Sequence, residues 1–154
     1  MTSQAIEAWR HAIAIDPKFS QALFSLARAL RSTNRAEAEQ FMARYVAVQQ
    51  ERRLLDRVDM LANHGIEAAS AHNWPEADRQ IKEAISVCGD CVERAQLYRK
   101  LGIIDCQAGD LDKCEKELLT AKSLNPNDPV TQAALKLATR ALSEHHTSGV
   151  GNMQ

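Results

Sequence analysis

The side chains of this chain with chemistry beyond packing are four cysteines and five histidines in 154 residues. Two of the cysteines stand together in Cys88-Gly89-Asp90-Cys91. Thiols at that spacing can form a redox-active pair or supply half of a metal site. A capping box from Asp90 to Glu93 would put Cys91 at the first helical position, where unpaired amides and the helix dipole lower a thiol pKa. A thioredoxin-like pair follows a β-strand, however, whereas a helical pattern precedes this one. Zinc needs about two further ligands, and no second Cys/His pair stands at a matching spacing. The plainer alternative is a turn between two helical units in which both cysteines sit, so turn, disulfide and metal pair all stay open.

The other two cysteines read differently. Cys114 falls where two helices approach closely, as a small buried hydrophobe would. Cys106 lies one residue past an apolar face and stays ambiguous. His64 and His72 have no acid or nucleophile at a recognisable spacing and read as structural, while His145 and His146 fall in a polar tail. There is no Gly-rich phosphate loop, metalloprotease helix motif or nucleophile elbow. Carboxylates are spread over helix faces. The expectation is therefore a protein that is not an enzyme, with no catalytic residue, no metal and no cofactor.

The elements that would position these residues are helices. Only six glycines and four prolines punctuate the chain, and apolar residues recur at helical spacing. Lys/Arg and Asp/Glu are interspersed to a net charge of −1, which argues against nucleic-acid and membrane partners. No apolar run approaches the roughly 18 residues needed to span a bilayer. The N-terminus lacks the long apolar core of a signal peptide, which favours the cytoplasm.

Taken in order, the segment 4–17 is one amphipathic helix with Ala5, Trp9 and Ala12 on one face, stopped by Asp16-Pro17. The segment 20–50 holds a first helix with Leu23, Leu26, Ala27 and Leu30 at i, i+3, i+4 and i+7, then a capping box from Asn34 to Glu37 and a second helix through Ala38, Met42 and Tyr45. The segment 55–91 repeats the plan with Gly65, the turn His72-Asn73, and Ala77, Ile81 and Ala84. The segment 95–127 has Leu101 and Gly102, the turn Ala108-Gly109-Asp110, and then Cys114, Leu118 and Ala121. Only Asp105 breaks its inner face. A capping helix over 129–143 and a polar, disordered tail over 144–154 complete the chain. The link 49–56 contains no glycine or proline and is expected to continue as helix.

The small residue of each second helix recurs at Ala5, Ala38, Ala77 and Cys114, at intervals of 33, 39 and 37. With the paired small residues and the closing prolines, this resembles the tetratricopeptide (TPR) family, whose repeat is about 34 residues. The resemblance implies an all-α, right-handed α-solenoid of antiparallel helix pairs. It also implies a concave groove, lined by first helices, that binds a peptide or a segment of a partner protein. Family groove positions fall on Phe24, Arg28 and Arg31, on Asn63 and Ile66, and on Arg99, Lys100 and Ile103. The family's clamp for a chaperone's C-terminal carboxylate is not reproduced, because Phe24, Arg28 and Gln96 occupy three of its places. The groove suits a peptide with an acidic or carboxylate group beside an apolar anchor. Alternatives are a docking or regulatory domain of a larger enzyme, or a redox-responsive scaffold using Cys88 and Cys91. By the same alignment the first unit lacks its first helix. Trp9, with Ile6 and Ile13, would then face an open edge suited to a homodimer contact or to another part of a neighbouring chain.

Overall fold

A computed structural model describes residues 2–150, which form seven helices and, among those residues, no strand. They are α1 (Ser3–Ile15), α2 (Ser20–Leu30), α3 (Arg35–Ser70), α4 (Trp74–Cys88), α5 (Arg94–Gln107), α6 (Leu111–Leu124) and α7 (Pro129–Val150). Five of the seven starts, those of α1, α3, α4, α6 and α7, have a side-chain cap. The Thr2 hydroxyl accepts from the Ala5 amide, Asn73 from Glu76 and Asp110 from Lys113. Asp128 accepts from the amides of Val130 and Thr131. Asn34 accepts from the Glu37 amide and donates to the Glu37 carboxylate. The turn into α6 passes through Gly109 at φ 88°, a left-handed conformation that costs glycine nothing.

The expected helical link is present. α3 is a single helix of 36 residues that runs through 49–56 without a break. The chain divides into two compact units at Leu54/Leu55, and α3 contributes to both.

The first unit packs Ile13 of α1, Ala22, Leu23, Leu26 and Leu30 of α2, and Ala38 of α3 into one core. Ile6, Trp9 and Tyr45 pack onto it, partly buried. At the expected open edge Ile13 is buried and Trp9 is partly covered from within its own unit.

In the second unit α4 packs on α5, α5 on α6 and α6 on α7, each against its neighbour in sequence. Ile81, Leu97, Leu101 and Leu118 are almost fully buried, each contributing about 1.5–3 kcal/mol. Glycines set the closest approaches. A Cβ on Gly65 would lie 2.7 Å from Ile81 Cδ1 and 3.3 Å from the Ala77 carbonyl oxygen. On Gly102 it would lie 2.8 Å from Leu118 Cγ and 3.1 Å from the Cys114 carbonyl oxygen. At these distances an added side chain must displace a neighbour, Ile81 at Gly65 and Leu118 at Gly102, so a small residue suits both positions.

Two ends differ from the sequence reading. α7 continues to Val150, past the expected end near 143, because no glycine or proline interrupts residues 143–148. The rest of the expected tail, 151–154, lies outside the described residues. α5 begins at Arg94 instead of taking in Cys91, and its N-cap Glu93 makes no side-chain capping bond. The anticipated capping box at Asp90–Glu93 is not formed.

Candidate functional site

α5 supplies one wall of a cleft of about 570 Å³ in the second unit, through Lys100, Ile103, Ile104 and Gln107. The end of α3 supplies Ile66, Ala69 and Ser70. The turn and the first residue of α4 add His72 and Trp74, whose rings meet edge to face at 5.3 Å. His72 takes a left-handed φ of 58°, uncommon for a residue with a side chain. Ile66 is 41% exposed, so the apolar wall is open to solvent. Lys100 makes no ion pair among the described residues, which leaves one ammonium beside an apolar surface.

Three of the predicted groove residues, Ile66, Lys100 and Ile103, therefore share one cleft. The others do not join it. Asn63 is exposed on α3 away from the lining. Arg99 turns to Asp128 at 2.7 Å, with both side chains largely covered. That pair ties α5 to the cap of α7, and the Asp128 carboxyl is held at about 2 by the Thr131 hydroxyl and then by Arg99. Arg99 is a structural cation. Arg28 and Arg31 line a separate cleft in the first unit with Ala27, Arg35, Ala38, Glu39 and Met42. Phe24 lies under the Arg28 guanidinium and meets the Tyr45 ring at a tilt, with centroids 5.2 Å apart.

His72, Trp74 and Gln107 escaped the sequence reading because family groove positions come only from first helices, and these residues come from a turn, a second helix and a helix end. The available signal was His72-Asn73-Trp74, two aromatic rings two residues apart at a tight turn.

All four cysteines are paired. Cys88, the last residue of α4, is bonded to Cys91 in the following turn, with Cα atoms 5.1 Å apart. Cys106 near the end of α5 is bonded to Cys114 in the first turns of α6, with Cα atoms 5.0 Å apart. Cys91 stands in the loop before α5, so the expected thiolate-stabilising position at a helix N-terminus is absent. The turn reading holds for position, but the two sulphurs are joined. Cys114 is fully buried, as a small hydrophobe would be, yet it is half of a disulfide. Among the described residues no group of three or more His, Cys, Asp or Glu could hold a metal ion.

One buried carboxyl stands out. Asp105 on α5 is 7% exposed, and burial pushes it up to about 6. Asp78 of α4, Glu117 of α6 and Asp110 reinforce that rise, and Lys113 opposes it. None of these groups lines the cleft, and Asp105 itself is buried in the packing of α5. No helix among the described residues is long and apolar enough to cross a membrane.

No protein-family model matches the chain, and comparison with curated proteins gives no match.

Proposed function

We propose that the chain is a protein-interaction module of TPR-like architecture, a right-handed solenoid of antiparallel helix pairs that holds a peptide of a partner protein. The observation that carries this reading is the cleft of the second unit, where Ile66, Trp74 and Ile103 form an apolar wall beside the unpaired Lys100. An extended peptide with an aliphatic or aromatic anchor next to an acidic residue or terminal carboxylate matches that surface in shape and charge. The sequential packing of α4 to α7 and the close approaches at Gly65 and Gly102 support the repeat architecture. The fused α3 and the irregular intervals are departures from a regular array.

The test is a panel of fluorescein-labelled dodecapeptides, each with one Leu, Ile or Phe within two residues of an acidic group or of the C-terminus. Binding is followed by anisotropy and by the Ile66 and Ile103 δ1-methyl signals in NMR. We expect a subset to bind with perturbation of those methyls, and Lys100→Glu to weaken that subset at least tenfold, about 1.4 kcal/mol. A panel that leaves both methyls unmoved, or binding indifferent to Lys100→Glu, refutes the proposal.

A further inference from the structure

Both disulfides act on one helix. Cys91, three residues before α5, is bonded to the last residue of α4, and Cys106, one residue before the end of α5, is bonded to α6. The helix fixed at both ends is the one that carries Lys100, Ile103, Ile104 and Gln107 of the cleft. The first unit contains no cysteine. The two sulphurs of the second disulfide also differ in access: Cys114 is fully buried, whereas Cys106 is partly exposed.

We propose that peptide binding in this cleft is governed by the thiol–disulfide state of Cys106–Cys114, the disulfide form being the binding form; this rests on the cleft reading above. A dithiol reductant attacks Cys106 Sγ as a thiolate. The S–S bond breaks, and Cys114 leaves as a thiolate that takes up a proton. The reductant's second thiolate then breaks the mixed disulfide and releases Cys106 as a thiol. The protein gains two electrons and two protons, and the reductant ends as its own disulfide.

The consequence is steric. Bonded sulphurs lie about 2 Å apart, whereas unbonded heavy atoms need roughly 3.5–4 Å. Two thiols therefore require about 1.5 Å or more of extra separation. The α5–α6 contact has no slack one turn away, where a Cβ on Gly102 would already lie 2.8 Å from Leu118 Cγ. Leu135 and Ala138 of α7 pack against Cys114, Leu118 and Cys106. The partly exposed partner is Cys106, so the displacement falls on the last turns of α5, which also carry Ile103, Ile104 and Gln107 of the cleft. Reduction shifts that wall away from Ile66.

The experiment uses the whole chain, wild type and Cys88→Ser/Cys91→Ser, each oxidised or reduced with dithiothreitol and checked for helix by circular dichroism. The probe is the tightest peptide of the panel. Reduction is expected to move the Ile103 and Ile104 methyl signals and to weaken binding at least about fivefold, the low end of couplings between linked sites. The variant that keeps only Cys106–Cys114 is expected to respond as the wild type does. Equal affinity in both states overturns the redox proposal and leaves the cleft reading standing. Absence of binding in both states overturns both. Unmoved methyls, or general loss of helix on reduction, also overturn it, the second because the bond would then be a plain structural staple.

Discussion

The two helix-contact glycines, Gly65 and Gly102, should respond differently to an added methyl group. Replacing glycine by alanine inside a helix gains about 0.8–1 kcal/mol of intrinsic propensity. At Gly102 the added methyl meets Leu118 Cγ at 2.8 Å, Leu118 Cδ2 at 3.1 Å and the Cys114 carbonyl oxygen at 3.1 Å. Leu118 is fully buried, its branch carbon sits close to the backbone, and α6 is bonded to α5 through Cys114. Little can move, so the overpacking cost belongs in the upper part of the usual range, about 2–3 kcal/mol. The net effect of Gly102→Ala is a loss of about 1–2 kcal/mol. At Gly65 the first obstacles are Ile81 Cδ1 and Cγ1, the outer half of a side chain that can rotate, and the backbone oxygen of Ala77 is farther off at 3.3 Å. A cost near 1 kcal/mol there nearly cancels the propensity gain, so Gly65→Ala should be close to neutral. Urea unfolding followed at 222 nm, with linear extrapolation, measures both. A Gly102→Ala chain as stable as wild type, or a Gly65→Ala chain less stable than Gly102→Ala, refutes the reasoning.

The raised Asp105 carboxyl means that the folded state binds its proton more tightly than the unfolded chain, whose aspartates titrate near 3.9. Its contribution is most favourable below about pH 4 and is lost as pH rises through about 6. Asp105→Asn should therefore gain on wild type between pH 4 and pH 7 in urea unfolding, and parallel stability curves would count against this. Arg99→Ala removes a largely covered, charge-assisted bond to the Asp128 cap and should cost about 1.5–3 kcal/mol. Its hydrogen exchange should quicken in the first turn of α7, and unchanged exchange there would contradict the tie. The depressed Asp128 carboxyl adds stability above about pH 4 that disappears as pH falls through about 2, and acid unfolding of Asp128→Asn should lack that step. Cys88→Ser/Cys91→Ser opens a loop of only four residues and should cost about 2 kcal/mol by chain entropy, read from the urea midpoint.

The helices were legible because their causes are local. Leu23, Leu26, Ala27 and Leu30 repeat at the helical period, Asn34, Asn73, Asp110 and Asp128 supply their own capping acceptors, and 49–56 offers nothing to stop a helix. Gly65 and Gly102 were legible too, since only residues without bulk allow two helices to come so near. What lay beyond reach depends on how separate helices meet. Cys106 and Cys114 are eight residues apart in sequence, and whether their sulphurs touch is set by the angle and depth at which α5 meets α6. Arg99 reads as a groove cation until α7 brings Asp128 to it across 29 residues of sequence. The start of α5 defeated the capping rule at Asp90, because Cys91 is bound to Cys88 and the chain reaches helical geometry only at Arg94. Trp9 likewise faced a missing partner on paper, while the core that α2 and α3 build with Ile13 covers part of it. Periodicity and caps act within a turn or two of helix, but the partners of a thiol, a cation or an indole are chosen by tertiary contacts that no local pattern encodes.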